Sequence, residues 1–210
     1  MTKLNFLLAD DEKLVRQGTS LLLEKNGIAS KIYEAGNGHE AIQILQQHSI
    51  DVVLLDIRMP GKTGFEVLRE VKKTFSKTFV IAVTGFEGTE LILNLLREGV
   101  HGFVQKINGI DEIMKAVHVV TTGSRYFSEI VMHAIQAHAD QWETVPPVNF
   151  KEPELKLLKA IAEGLTTKEI ADRNHMSVRT AETNRQRLLE KTQSLNTAGL
   201  LAYAFRNGII

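Results

Sequence analysis

A run of branched apolar residues, Val52 to Leu55, ends on a lone acid, Asp56, and the chain then turns through Pro60 and Gly61. Comparable positions hold Asp10 and Asp11 after "LNFLLA" (4–9), Thr84 at the end of "FVIAVT" (79–84) and Lys106 at the end of "GFVQK" (102–106). Three carboxylates in one pocket repel one another, so a hard cation such as Mg²⁺, with its preference for oxygen ligands and retained waters, is their natural neutraliser. A lysine and a hydroxyl beside them suit a phosphoryl group, whose oxygens need donors and positive charge during transfer. The set reads as a carboxylate nucleophile, Asp56, that forms an acyl phosphate with metal assistance. Each residue alone has a plainer reading. Asp ends strands as a turn or cap residue, and consecutive acids favour a helix N-terminus; a lone threonine is a strand former, a lone lysine a solvated charge. Their common location at strand ends is what makes them a site.

The elements that would position them follow from hydrophobic period. Runs 4–9, 31–35 ("KIYEA"), 51–56, 79–84 and 102–106 have strand character. Between and after them, helical-period faces are carried by Leu14, Gly18, Leu21 and Leu22, then by Ala41, Ile44 and Leu45. Phe65, Leu68 and Val71 continue the series, then Leu91, Ile92, Leu95 and Leu96, and finally Ile113, Ala116, Val117 and Val120. Five strands alternating with five helices predict a doubly wound α/β domain with a five-stranded parallel sheet. Ligands of such sheets sit beyond the carboxyl ends of the strands, near the point where strand order reverses.

Composition sets outer bounds. At 210 residues the chain allows one or two domains. No apolar run approaches the roughly 20 residues of a membrane span, and "MTKLNFLLAD" meets acids too soon for a signal peptide. The lack of cysteine rules out disulfides and thiolate metal sites and fits the cytosol. The seven histidines lack ligand-like spacing, so no metal is assigned to them. The net charge of zero conceals a split: residues 1–125 hold 15 basic and 15 acidic residues, whereas 150–210 hold 10 and seven. That C-terminal surplus permits an anionic partner without demanding one.

Residues 1–125 resemble the receiver domain of two-component response regulators. The match rests on Asp10, Asp11, Asp56, Met59-Pro60-Gly61, Thr84 and Lys106. The resemblance implies that Asp56 accepts a phosphoryl group from a histidine kinase. It further implies that Asp10, Asp11, Asp56 and the backbone carbonyl of Arg58 hold Mg²⁺, and that Thr84 and Lys106 contact the phosphoryl oxygens. Phe103 stands at the family's switch aromatic, and with Thr84 would report phosphorylation to neighbouring elements. Gly85 is smaller than the alanine common after the switch residue.

Ser128 is positioned to cap a helix with Val131, Ala134, Ile135 and His138 on one face, and the pattern then dissolves in "ADQWETVPPVNF", where Pro146 and Pro147 end any helix. Beyond this linker, Leu155, Leu158, Ile161, Ala162 and Leu165 mark an amphipathic helix closed near Gly164. Thr166 and Glu169 form a capping box for a short second helix, and Ser177 caps a third. In the third, Val178, Ala181, Leu188 and Leu189 are expected inside. Arg179, Thr180, Thr183, Asn184, Arg185, Gln186, Arg187 and Lys191 are left outside. Two short helices and a tight turn before a polar, basic helix fit a helix-turn-helix in a major groove, although a solvated face on an ordinary bundle has the same pattern.

Residues 150–210 resemble the LuxR-type helix-turn-helix of NarL/FixJ-class response regulators. Departures are Pro153 for the usual Arg, Ala181 for Val, Asn184 for His and Thr192–Gln193 for Leu–Gly. The resemblance implies base contacts by Glu182, Thr183 and Gln186, and pairing of protomers through a last helix over 196–207. The expected organisation is a receiver (1–127), a helical, Pro-containing linker (128–149) and a small all-α DNA-binding domain (150–210). The expected function is a cytoplasmic, phosphorylation-controlled transcriptional regulator that binds double-stranded DNA, pairs as a homodimer and avoids membranes. Two rivals are a small aspartyl-phosphate-forming phosphatase, which would need an acid where Arg58 stands, and an interaction module that binds no DNA.

Overall fold

A computed structural model describes residues 3–85, 88–142 and 147–210. Pro146 lies outside the described residues. By internal contacts the chain forms two units, one of Met1–Gly88 with Val100–His118 and one of Thr89–Gly99 with Val119–Ile210.

In the first unit the five apolar runs form β1 (Leu4–Ala9), β2 (Ala29–Ala35), β3 (Val52–Leu55), β4 (Phe79–Thr84) and β5 (Gly102–Gln105). All pair in parallel, in the order β2-β1-β3-β4-β5. Every residue of β3 is buried, which is why its sequence is continuously apolar rather than alternating. Helices α1 (Lys13–Lys25), α2 (Gly38–Gln47) and α3 (Gly64–Thr74) connect the strands. The chain steps from β1 outward to β2, then returns past β1 to β3. With right-handed crossovers, that reversal places α1 on one face and α2 and α3 on the other. The sheet is therefore doubly wound, as expected, and the carboxyl ends of β1 and β3 border the crevice at the reversal. Strand β3 stops one residue before Asp56, and a short 3₁₀ turn, Lys106–Asn108, begins directly after β5.

The second unit holds α4 (Thr89–Arg97), the last residues of α5 (Gly109–Thr121), α6 (Glu129–Ala137), α7 (Glu152–Ala162), α8 (Thr167–Arg173), α9 (Val178–Lys191) and α10 (Thr197–Arg206). Ser128 takes the N-cap position of α6, but its side chain makes no capping hydrogen bond. Pro153 sits in the first turn of α7, where a missing N–H costs nothing. The Thr166–Glu169 capping box forms, and the Ser177 hydroxyl accepts from the Thr180 amide at 3.1 Å. Ala181 and Leu188 of α9 are buried as expected. Val178 is not: it is 42% exposed, because a side chain at the first helical position tilts back beyond the helix end. Helix α9 ends in a Schellman turn, with Ser194 N donating to Leu189 O and Gln193 N to Glu190 O. Gln193 accordingly adopts φ 50°, in the left-handed region that a glycine would occupy without strain. Helix α4 packs on α6 and α10 within this unit. Among the described residues no helix is long and apolar enough to cross a membrane.

Candidate functional site

Asp10 and Asp56 are the first residues past β1 and β3, and both are buried. Parallel pairing of these neighbouring strands, Ala9 opposite Leu55, brings the two carboxyl groups to one edge. Lys106 reaches them from the end of β5. Its ammonium lies 2.8 Å from Asp10 Oδ2, 2.7 Å from Asp56 Oδ2 and 2.8 Å from Glu12 Oε1. Asp11 is exposed, yet a carboxylate oxygen from each of Asp10, Asp11 and Asp56 fits within a span of 4.8 Å. Three acids thus hold a single ammonium, with a fourth, Asp11, beside two of them. The donor set is all oxygen and carries surplus negative charge, which fits a hard divalent cation.

Electrostatics follow from this crowding. Burial is the larger influence on Asp10 and raises its pKa, against the lowering effects of Lys106 and the Glu12 amide, which donates at 2.8 Å. Burial alone would lower Lys106, but hydrogen bonds to Asp10, Asp56 and Glu12 outweigh it and keep the ammonium firmly protonated. Glu12 is pulled below the usual carboxylate range by the same lysine.

Local backbone fixes Asp56. The Arg58 amide donates to Asp56 Oδ1 at 3.2 Å, while the Asp56 amide donates to Ala9 O at 2.7 Å. Gly61 turns the chain at φ 73°, and Gly64 lies so close that a Cβ there would overlap the Asp56 carbonyl oxygen. Arg16 Nη1 donates to the Asp10 carbonyl at 2.6 Å and Arg16 Nε pairs with Glu34 at 3.1 Å, tying β1's end to β2. Thr84 closes β4, buried, in register with Gln105 and hence one residue from Lys106. Phe103 is 1% exposed and pairs in register with Ala82. A Cβ at Gly85 would meet only Lys106 Cδ, at 4.0 Å, so glycine there leaves that lysine's stem open. Glu12, Arg16 and Gly64 were not singled out from sequence. The acid run "DDE" was the available signal for Glu12, whereas the close approach of Gly64 needs the fold.

The basic helix divides differently from its sequence pattern. Arg179, Thr180, Glu182, Thr183, Gln186 and Arg187 of α9 are exposed. Asn184 is partly buried, with Nδ2 3.9 Å from Met176 Sδ. Lys191 pairs with Glu154 at 2.7 Å and lies 5.2 Å from the Phe150 ring centre. Arg185 also turns inward: its guanidinium donates to Gly123 O at 2.9 Å and to Thr197 Oγ1 at 2.7 Å. Burial lowers its pKa, opposed by Glu182. Arg125 shares that pocket and is pushed down to about 10, first by burial and then by Arg185's charge.

This strand order, with a lysine-tied acid pocket at the reversal, defines the receiver class of flavodoxin-like α/β folds. The chain belongs to the response regulator receiver domain family, whose sequence profile matches residues 6–118. Similarity extends well past that domain. The chain is 29% identical over 217 residues to the uncharacterized transcriptional regulatory protein YxjL of Bacillus subtilis (strain 168), covering 99% of this chain and 98% of that one. It is 27% identical over 218 residues to the oxygen regulatory protein NreC of Staphylococcus haemolyticus (strain JCSC1435), covering 99% of each. In fold it is similar to the RcsB response regulator of Salmonella typhimurium, with a TM-score of 0.61 and 23% identity over 97% of this chain and 98% of that chain. RcsB solved in complex with DNA gives a TM-score of 0.60 at 22% identity, over 96% of this chain and 98% of that chain.

Proposed function

We propose that the chain is a phosphorylation-controlled, DNA-binding transcriptional regulator. The observation that carries this reading is the Lys106 ammonium held by Asp10, Glu12 and Asp56 at the sheet's reversal point, in a chain whose relatives over its full length include a transcriptional regulatory protein and an oxygen regulatory protein. Asp56 is the phosphoacceptor, and a histidine kinase is the donor. Exposed Leu14 and Ile107, near the acid run and Lys106 in sequence, offer that kinase an apolar rim. When bound, Mg²⁺ would neutralise the acids and polarise the incoming phosphoryl group, with Asp10, Asp11, Asp56 and the Arg58 carbonyl as its protein ligands. Lys106 would leave part of its acid contacts for a phosphoryl oxygen, and Thr84 would donate its hydroxyl to another. Thr84 and Phe103 then form the bistable pair that senses the new charge, roughly −1.5 to −2 for a protein phosphate.

The proposed domain limits are a receiver over 1–127, a linker over 128–149 and a helix-turn-helix over 150–210. The protein acts in the cytoplasm and pairs as a homodimer on double-stranded DNA. On α9, Glu182, Thr183 and Gln186 are exposed and would read base edges, with Thr183 and Gln186 giving up local bonds to Arg179 O and Glu190, while exposed Arg179, Thr180 and Arg187 would hold phosphates. In this arrangement Asn184, Arg185 and Lys191 are committed inside the protein, and they join the DNA contact only by leaving those partners. The phosphatase alternative lacks a second acid, because Arg58 stands two residues after Asp56.

The test is selection of bound DNA by the full chain treated with acetyl phosphate and Mg²⁺. A defined site is expected, with Glu182→Ala or Gln186→Ala costing about 1–3 kcal/mol and relaxing one base position. Retention of no sequence, with phosphorylation intact, would leave the interaction-module reading in its place.

A further inference from the structure

A cavity of about 350 Å³ opens in the second unit, lined in part by Arg97, Trp142, Gln193, Leu195, Asn196 and Gly199. Nothing in the proposed phosphorylation or DNA binding uses it. Its size falls at the lower end for small-molecule sites. Its chemistry is one-sided. Among the described residues, Arg97 is the only charged one on the wall, no acid lines it, and no carboxylate pairs with this arginine. The guanidinium lies 5.7 Å from the Trp142 ring centre, and Nη1 makes a single long bond, 3.3 Å, to Asn94 Oδ1. Most of its five donors are therefore available.

The second observation is independent. Trp142 is nine-tenths buried, yet its indole Nε1–H has no hydrogen-bond acceptor among the described residues. A buried donor without a partner is uncommon and destabilising, so it points to an acceptor supplied from outside. Asn196 does not supply one: its Oδ1 accepts from the Gly199 amide at 3.0 Å and its Nδ2 donates to Leu96 O at 2.9 Å, and neither atom is bonded to the indole. The rim adds an apolar element: Leu195 is 93% exposed, next to a Gln193 held in the left-handed region.

We propose that this cavity binds a small organic carboxylate with a flat apolar body. The carboxylate sits on the edge of Arg97 and offers an oxygen to the Trp142 N–H, and the body lies between the indole and Leu195. Because α4 supplies Arg97 and α10 supplies Asn196 as its cap, an occupant would brace the packing of α4 on α10.

Trp142 is the chain's only tryptophan, so its emission reports directly. Benzoate titrated into the full-length protein at constant ionic strength should change the emission with saturation, and neutral benzamide should bind at least about tenfold more weakly. Arg97→Gln should weaken benzoate by a similar factor. Since that variant also removes the cation over the indole, a second one is needed. Leu195→Asp places an acid on the exposed rim; it should keep the parent's melting temperature and still lose benzoate. Binding heats provide the readout where baseline emission shifts. A linear, unsaturable response, equal binding of benzamide, or benzoate binding unchanged in both variants would overturn the site.

Discussion

Two clusters of charge in this chain are built on opposite plans. At the end of the sheet, one ammonium serves Asp10, Glu12 and Asp56, with Asp11 beside them. In the helical unit, Arg125 and Arg185 share a pocket, and Arg185 satisfies its donors on neutral oxygens of Gly123 and Thr197. In the first cluster the charges attract and the surplus is negative. In the second Arg185's hydrogen bonds are made, but its charge is poorly compensated, with exposed Glu182 as its main relief, and Arg125 meets it as a like charge. Hydrogen-bond satisfaction and charge balance are thus separate conditions. The acid pocket, proposed to take a cation and a phosphoryl group, leaves the second unmet while its geometry is fixed through backbone. The arginine pair leaves it unmet with no proposed ligand, so it should act as a cost to the fold.

The largest expected effect is at the acceptor. Asp56→Asn should abolish the phosphoryl mass added by acetyl phosphate and Mg²⁺, read by intact mass spectrometry. An unchanged yield would move the acceptor elsewhere and remove the functional half of the contrast. Next, Lys106→Met should lower stability by about 1–3 kcal/mol, because several acids lose their shared donor. Mg²⁺ should restore much of that loss in thermal melts by binding only the folded chain. If Mg²⁺ does not help, the surplus acid is not a cation site.

On the other side, Arg125→Met should raise stability by about 1 kcal/mol, since a partly buried charge repelled by Arg185 gives way to an apolar side chain of similar length. The sign has a pH test. Burial and Arg185 pull the folded arginine down to about 10, well below its ordinary value, so the cost of its charge is present at neutral pH and fades as pH rises past 10. The variant's advantage should fade with it.

The smallest effect concerns Asp10. Its raised folded pKa means that the folded chain holds more protons than the unfolded chain just above pH 3.8. Without metal, stability should therefore fall slightly as pH climbs through that window. The stabilisation by Mg²⁺ should move the other way and grow as Asp10 ionises. Paired melts with and without Mg²⁺ across that range check both signs.

Asp10, Asp56, Thr84 and Lys106 were legible in sequence because a parallel sheet confines chemistry to strand ends, and strand ends are visible as the close of apolar runs. The caps at Thr166 and Ser177 were legible for a similar reason, being local hydrogen bonds between residues three apart. What escaped depended on distance or on length of side chain. Glu12 finds Lys106 across 94 residues. Arg185 shares the polar stripe of α9, yet its long stem carries the guanidinium inward to Gly123; periodicity gives the direction of Cβ and not the destination of the tip. Gln193 was noted as a departure from glycine, but its left-handed turn became evident only with the end of α9 in place.

The assignment of α4 to the second unit has a consequence for synthesis. Asn196 anchors to Leu96 across 100 residues of chain. At a ribosomal pace of about 5–20 residues per second, α4 emerges roughly 5–20 s before the helix that will hold it. The loop is costly to close only logarithmically, so the delay is one of order rather than of energy. For that interval the nascent chain can complete its parallel sheet with α4 still unclaimed by α10, and a chain cut short before residue 196 would stay in that state.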